Sequence, residues 1–287
     1  MNGSPYAEVI GDPIAHSKSP LIHRFWLERL GLPGDYRRTW VEAAALPAFL
    51  AERRRDPAWR GCNVTLPHKP SVLPLLDRLD PLAARIGAVN TVVRESDALV
   101  GYNSDAPGFL EPLAPWLAER HLLRTARIFG TGGAARAIAH ALKVEGFVLV
   151  LIGRDPAKTA ALAADLGGGP DVHVASLAGF ADPLAFEWGE MEGRLDVIVN
   201  ATSLGMVGQP PLPVHLSHLP PGAVVYDAVY APLETPLLAQ ARQCGHPVVD
   251  GLAMLIGQAR IAFRHFFGVA APDDRASDEA LRALLTA

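Results

Sequence analysis

Lysine is scarce in this chain of 287 residues. It supplies four of the 26 basic side chains, at Lys18, Lys69, Lys143 and Lys158, and arginine supplies the rest. Cysteine is scarcer still. Cys62 and Cys244 lie far apart and flank no ligand-type spacing, and read most simply as free thiols in a reducing cytoplasm. The histidines, His16 and His68 among them, form no cluster with ligand spacing, so no metal is expected. Excess positive charge is also missing. The net charge is −4 and the one basic run, Arg53-Arg54-Arg55, reads as a helix end, which argues against a nucleic-acid partner. No apolar stretch reaches membrane-spanning length and no basic-then-apolar leader opens the chain. The expectation is a cytoplasmic protein without a membrane partner. Neither a repeat nor a low-complexity tract occurs, and the length suggests two domains.

Against that background Lys69 stands out. It follows a strand-like Cys62–Thr65 and a Pro67 turn, so it lies at a strand exit. An ammonium can give up its proton and a guanidinium cannot, so a lysine retained in an arginine-rich chain is a candidate for proton transfer.

The first third alternates strand and helix. Tyr6–Ile10 reads as a buried strand that Gly11-Asp12-Pro13 breaks. Ser19-Pro20 reads as a helix start, with Ser19 as N-cap, and Ile22, Phe25, Trp26 and Leu30 follow at helical spacing. Further strands are expected at Tyr36–Val41, Arg60–Thr65, Gly87–Val93 and Leu99–Asn103, with a helix at Leu46–Arg54. The middle predicts a helix over Ala106–Arg120, then a strand at Arg127–Phe129 and a helix at Ala134–Glu145. Phe147–Ile152, Leu195–Val199 and Ala223–Tyr226 are apolar throughout, as strands buried in a parallel sheet are. Thr235-Pro236 opens a capped helix, Val248–Val249 is a last strand, and Leu252–Phe267 and Asp278–Leu285 form a helical tail.

Gly130-x-Gly132-x-x-Ala135 follows a strand and opens a helix, the context a dinucleotide fingerprint requires. One glycine makes the turn, a second lets backbone N–H groups reach a pyrophosphate, and the helix start favours negative charge. After the next strand comes Gly153-Arg154-Asp155, where an NAD-type site usually has an acidic residue to hold the ribose. Arg154 and Lys158 suit a 2′-phosphate, which reads as NADP(H). Asp155 leaves two alternatives: it neutralises Arg154, or it accepts a ribose hydroxyl.

The chain then resembles the shikimate dehydrogenase family. The motifs are Gly11-Asp12-Pro13-Ile14-Ala15-His16-Ser17-Lys18-Ser19-Pro20, Asn63-Val64-Thr65-Leu66-Pro67-His68-Lys69, Gly87-Ala88-Val89-Asn90-Thr91 and Tyr102-Asn103-Ser104-Asp105. They continue with Gly130-Thr131-Gly132-Gly133-Ala134, Asn200-Ala201-Thr202-Ser203, Tyr230 with Thr235-Pro236, and Asp250-Gly251 leading to Gln258. They keep the family's order along almost the whole chain.

The resemblance implies a reversible, NADPH-dependent reduction of 3-dehydroshikimate to shikimate in aromatic amino-acid biosynthesis. It implies an α/β architecture: an N-terminal substrate-binding and catalytic domain over 1–105, a Rossmann-like doubly wound NADP domain over 106–250, and C-terminal helices over 251–287 returning to the first. The active site would lie between the two domains. It makes Lys69 and Asp105 the catalytic pair, with Ser17, Ser19, Thr65, Asn90, Asp105, Tyr230 and Gln258 on the substrate. It puts Gly130, Thr131, Gly132, Gly133, Ala134, Arg154, Lys158, Asn200, Thr202 and Gly251 at the cofactor. A monomer or a homodimer is expected. Two departures stand out: Ser104 and Ala106-Pro107 replace the family's threonine and following glycine, and Gly153-Arg154-Asp155 replaces its Asn-Arg-Thr. The alternatives are a quinate/shikimate dehydrogenase preferring NAD, and a non-catalytic sensor of dinucleotide and a shikimate-like ligand. The serine pair favours shikimate over quinate, and an intact Lys69–Asp105 pair argues against a sensor.

Overall fold

A computed structural model describes residues 4–186, 188–189 and 192–286. The chain forms two compact units. One runs up to Gly108 and resumes at Ile256; the other is Phe109–Leu255.

The first unit is built on a six-stranded sheet of β1 (Tyr6–Gly11), β2 (Asp35–Trp40), β3 (Trp59–Val64), β4 (Arg78–Leu79), β5 (Thr91–Glu95) and β6 (Ala98–Tyr102), in the order β2-β1-β3-β5-β6-β4. β1 runs parallel to both β2 and β3, whereas β5 is antiparallel to β3 and β6. Every residue of β1 is buried, as a strand between two others under helices must be. One face packs Ile10, Leu46, Leu50, Trp59 and Val92 together; Ala7, Val9, Tyr36 and Phe266 meet elsewhere in the unit. Gly61 allows the last of these contacts. A Cβ there would stand 2.7 Å from the Phe266 ring and 2.2 Å from the Val92 carbonyl, so only glycine lets the helix Gly251–Phe267 lie down on the sheet.

The first helix spans Ser19–Arg29 with Lys18, not Ser19, at its N-cap. Ser19 is therefore inside the first turn, Pro20 is second, and it is the Ser17 hydroxyl that accepts from the Ser19 N–H at 3.3 Å. The residues Gly87–Asn90 are not strand as expected. Gly87 has φ of 69° and ends the helix Pro81–Ile86, which delays β5 to Thr91.

The second unit carries β7 (Leu123–Phe129), β8 (Val148–Gly153), β9 (Val172–Ser176), β10 (Arg194–Asn200), β11 (Val224–Asp227) and β12 (Val248–Val249) in the order β12-β11-β10-β7-β8-β9. All neighbours are parallel. This is the doubly wound order whose direction of winding reverses between β7 and β10, and ligands bind such sheets beyond the strand C-termini at that reversal. The expected helix over 106–120 is broken into Asp105–Leu110 and Ala114–Leu117. Pro112 and Pro115 supply no N–H to continue the ladder. In the first unit the sequence reading lacked β4 and the helix Pro81–Ile86; in this unit it lacked a strand, β9, whose side chains are largely exposed, and the helix Pro156–Asp165. Asp155 caps that helix, accepting from Ala157 N at 3.0 Å and Lys158 N at 3.2 Å.

Candidate active site

β3 ends at Val64, and the turn that follows is pinned in place. His68 N donates to Thr65 O at 2.9 Å, and the buried His68 ring lies 2.7 Å from Val41 O through Nε2. Lys69 then leaves the turn with its own carbonyl held by Val89 N at 3.0 Å. Asp105 arrives from β6 as the first residue of a helix. Asn103 fixes that start, accepting from Ala106 N at 3.2 Å and donating to Ala88 O at 2.9 Å. The result is an ion pair in which Lys69 Nζ donates to Asp105 Oδ2, with side chains only 13% and 7% exposed. A pair so withdrawn from water is held by geometry, because separating the charges there costs far more than at a surface.

Asp105 is oriented from its other oxygen as well. Asn90 Nδ2 donates to Asp105 Oδ1 at 2.9 Å and to Ser104 Oγ at 2.9 Å. Gln258 Oε1 accepts from Ser104 Oγ at 3.3 Å and lies 3.5 Å from Asn90 Nδ2. Gly108 makes this approach possible, since a Cβ there would stand 2.4 Å from Gln258 N. Lys69, Asn90, Asp105 and Gln258 thus join one network of the first unit, although 168 residues separate Asn90 from Gln258. Chemically it is an amine able to give or take a proton beside a fixed carboxylate and polar groups able to bind hydroxyls.

Ser17 and Ser19 form a separate pair with hydroxyls 3.3 Å apart. Lys18 between them donates to the Leu285 carbonyl. Thr65 is half-buried at the exit of β3, against the bare backbone of Gly11, where a Cβ would meet its methyl at 2.5 Å. Tyr230 belongs to the second unit and is half-buried.

In the second unit Gly130 turns the chain out of β7 with φ of 118°, and a Cβ there would stand 2.9 Å from Ala201 O. Gly132 caps the helix Gly133–Val144 without any side-chain cap. A Cβ on Gly132 would meet nothing within 4 Å, so open space lies directly above an uncapped helix start. That is what a pyrophosphate needs. Thr131 and Ala134 are half-buried in the same turn. Arg154 is exposed at the exit of β8 and, among the described residues, makes no hydrogen bond or ion pair. Lys158 Nζ is 3.8 Å from Asp155 Oδ2, an exposed contact of little strength. Asp155 itself serves as a helix cap and, among the described residues, makes no ion pair with Arg154. Gly153 is glycine for a packing reason: a Cβ there would lie 2.2 Å from the buried Thr159 hydroxyl.

Asn200 is wholly buried, and its amide is committed within the protein. Nδ2 donates to Leu204 O and Asp227 Oδ1, both at 2.9 Å, and Oδ1 accepts from Thr202 N at 3.1 Å and Thr202 Oγ1 at 2.7 Å. It shapes the loop after β10 and presents none of its own atoms. Gly251 opens the last long helix where a Cβ would stand 2.4 Å from Val229 O. Asp227 was missed by sequence reasoning. It accepts from Asn200 Nδ2, from Val229 N at 3.0 Å and from Thr235 Oγ1 at 2.6 Å, and so ties together the loops after β10 and β11. Burial pushes its carboxyl up to about 6 against the pull of those donors. A lone acidic residue ending an apolar parallel strand was the available signal.

The chain is similar to known proteins along almost its whole length. Residues 9–92 match the shikimate dehydrogenase substrate binding domain. A shikimate dehydrogenase (NADP(+)) of Sphingopyxis alaskensis is 50% identical over 286 residues, covering 99% of this chain and 98% of that protein. One from Methylobacterium radiotolerans is 45% identical, covering 92% of each. Among solved structures, the shikimate 5-dehydrogenase of Thermus thermophilus in complex with NADP(H) and shikimate matches with a TM-score of 0.81 at 38% identity, over 98% of this chain and 99% of that one. Quinate dehydrogenase from Corynebacterium glutamicum in complex with NAD matches with a TM-score of 0.82 at 32% identity, over 97% and 99%.

Proposed function

This chain belongs to the shikimate dehydrogenase family, and on that premise we propose that the Lys69–Asp105 pair performs the family's proton transfer here. The protein is an NADP-dependent oxidoreductase that interconverts 3-dehydroshikimate and shikimate in aromatic amino-acid biosynthesis. The single observation that carries the residue assignment is the withdrawn ion pair, oriented through both carboxylate oxygens. Ser17 and Ser19 hold the substrate carboxylate, and Thr65, Asn90, Tyr230 and Gln258 take its remaining polar groups. The first unit, which includes the chain from Ile256 onward, is the substrate domain; the second is the cofactor domain.

The dinucleotide fits the second unit, where open space lies above Gly132 at an uncapped helix start. Residues Gly130 to Ala134 hold its pyrophosphate, and Arg154 with Lys158 its 2′-phosphate; Asn200, Thr202 and Gly251 shape the loops around it. When bound, NADPH supplies the hydride that reduces the substrate carbonyl carbon. Lys69 then donates a proton from Nζ to the oxygen of that carbonyl, and in the oxidative direction Nζ takes the hydroxyl proton back. Asp105 accepts from Nζ throughout, which keeps the amine aimed, and its second oxygen stays fixed by Asn90. The working form proposed here is a monomer or a homodimer. Among the described residues no helix is long and apolar enough to cross a membrane. A cytoplasmic location is proposed separately, on the small free substrates of the reaction.

The direct test is shikimate-dependent reduction of NADP+ followed by absorbance, with quinate and NAD+ as parallel arms. Activity with shikimate and NADP+ is expected to exceed both other arms. Equal rates with quinate and NAD+ would transfer the protein to the quinate-using branch, and no rate with either acid would remove the enzymatic reading. Arg154→Asp is expected to weaken NADPH binding about tenfold or more, since a hydrogen bond to a charged group contributes about 1.5 kcal/mol or more. NADH binding should change far less. Titration of both cofactors against the variant checks this, and equal losses would show that Arg154 does not read the 2′-phosphate.

A further inference from the structure

Behind the Lys69–Asp105 pair lies an unbroken line of buried hydrogen bonds. Tyr36 OH donates to Asn63 Oδ1 at 2.5 Å, and Asn63 Nδ2 donates to Thr91 Oγ1 at 3.0 Å. Thr91 Oγ1 donates to Asn90 Oδ1 at 3.1 Å, and Asn90 Nδ2 donates to Asp105 Oδ1 at 2.9 Å. The line starts on β2, passes through β3 and β5, and ends at the carboxylate that aims Lys69. Tyr36, Asn63, Thr91, Asn90 and Asp105 are all buried, and Tyr36 and Thr91 have no exposure at all.

The direction of the line is dictated by groups that have no choice. The Ser104 backbone N–H can only donate, and it meets Asn90 Oδ1 at 2.7 Å, which turns Asn90 Nδ2 toward Asp105. The Asn90 carbonyl can only accept, and Asn63 Nδ2 meets it at 3.2 Å, which turns Asn63 Oδ1 toward Tyr36. Thr91, receiving from Asn63, has its proton left for Asn90. The phenol must then be the donor, and burial keeps it protonated by pushing its ionisation well above the ordinary tyrosine range. The ring is clamped too. His23 stacks on it with centroids 3.9 Å apart and planes within 2°. Each donor therefore polarises the next in one sense, ending on the anion, and aligned bonds of this kind strengthen one another in a dry interior.

We infer that Tyr36 and Asn63 are positioning residues for proton transfer, acting on Lys69 through Asn90 and Asp105 without touching substrate. Deleting the phenol oxygen frees one end of the Asn63 amide, and the disturbance reaches Asp105 as a looser carboxylate. This rests on the Lys69–Asp105 reading, and the test separates the two.

Tyr36→Phe is expected to lower kcat for shikimate oxidation about three- to tenfold, with KM for NADP+ unchanged. Asn63→Ala should lower kcat at least as much. The double variant should lose no more than Asn63→Ala alone, because the phenol acts only through that amide. Leu50→Ala, a truncation in the apolar core of the same unit, serves as the control for lost stability and should keep the wild-type kcat. Wild-type kcat in Tyr36→Phe, losses that multiply in the double variant, or an equal kcat loss in Leu50→Ala at matched Tm would each overturn the inference. A second measurement needs no turnover. Hydrogen exchange at the Ser104 amide, which donates into the line, should accelerate in Tyr36→Phe and not in Leu50→Ala. Unchanged exchange overturns the inference even in an inactive protein. A wild type inactive on shikimate, with exchange at Ser104 behaving as stated, would instead sink the assigned reaction and leave the line standing.

Discussion

Lys69→Ala is expected to lower turnover about 10²-fold or more while NADPH still binds. Nothing else in the network can replace the amine. Asn90 and Gln258 are amides that do not titrate, and Asp105 as a carboxylate accepts protons without offering one. The variant also leaves the Asp105 side chain, 7% exposed, with a buried charge and no cation beside it. Stability should therefore fall as well, and a loss of activity by itself would be ambiguous. Lys69→Arg resolves the ambiguity. A guanidinium keeps the positive charge beside Asp105, so the fold should be largely retained, yet it holds its proton at any working pH. Turnover in Lys69→Arg should stay near that of Lys69→Ala, with a higher Tm. Steady-state rates, cofactor binding and thermal unfolding on the two variants supply the comparison. Turnover within a few-fold of wild type in either one would take Lys69 out of the chemistry.

Much of this was legible in the sequence, and the limits have physical reasons. The strands of the second sheet are near-continuous apolar runs between glycine turns, so β8, β10 and β11 were visible. β9 was not, because an edge strand with exposed faces carries Val172-His173-Val174-Ala175-Ser176, which shows no apolar run. The break in the helix after Asp105 was signalled by Pro112 and Pro115, whereas Pro107 sits in the first turn and is tolerated there. Candidate site residues next to a glycine or at a strand exit, such as Gly132 and Lys69, could be named from the sequence. The partners that aim them could not. Asn103, Asp227, Tyr36 and Asn63 look like ordinary turn or strand residues, and their roles arise only when distant segments meet. The reading of Ser19 as an N-cap failed for a related reason: a hydroxyl before a proline is a good cap by propensity, but the helix starts one residue earlier and the serine falls inside it.

Acid stability should report two buried groups of opposite sense. His23 has no exposure, both ring nitrogens lack a hydrogen-bond partner among the described residues, and burial pushes its pKa down from 6.5 to about 3. A depressed basic group contributes stability that is complete above its unfolded value and is lost as pH falls, here from 6.5 toward 3. Asp227 is the reverse. Burial raises its pKa from 3.8 to about 6, so its contribution is complete below 3.8 and is lost as pH rises through 6. Between about pH 4 and pH 6 each group contributes a slope near 1.4 kcal/mol per pH unit, in opposite directions. They also lie in different units: His23 acts on the first and Asp227 on the second. His23→Phe keeps an aromatic ring against Tyr36 and removes the titration. Relative to wild type it should gain stability steadily on going from pH 6.5 to pH 4, read as the difference in denaturant midpoint at each pH. Asp227→Asn should do the opposite, losing ground to wild type over the same interval. Taking differences cancels the surface carboxylates common to all three proteins. A His23→Phe difference that stays flat across this range would mean that the ring is not held neutral in the fold, and the aromatic cluster around Tyr36 would have to admit water.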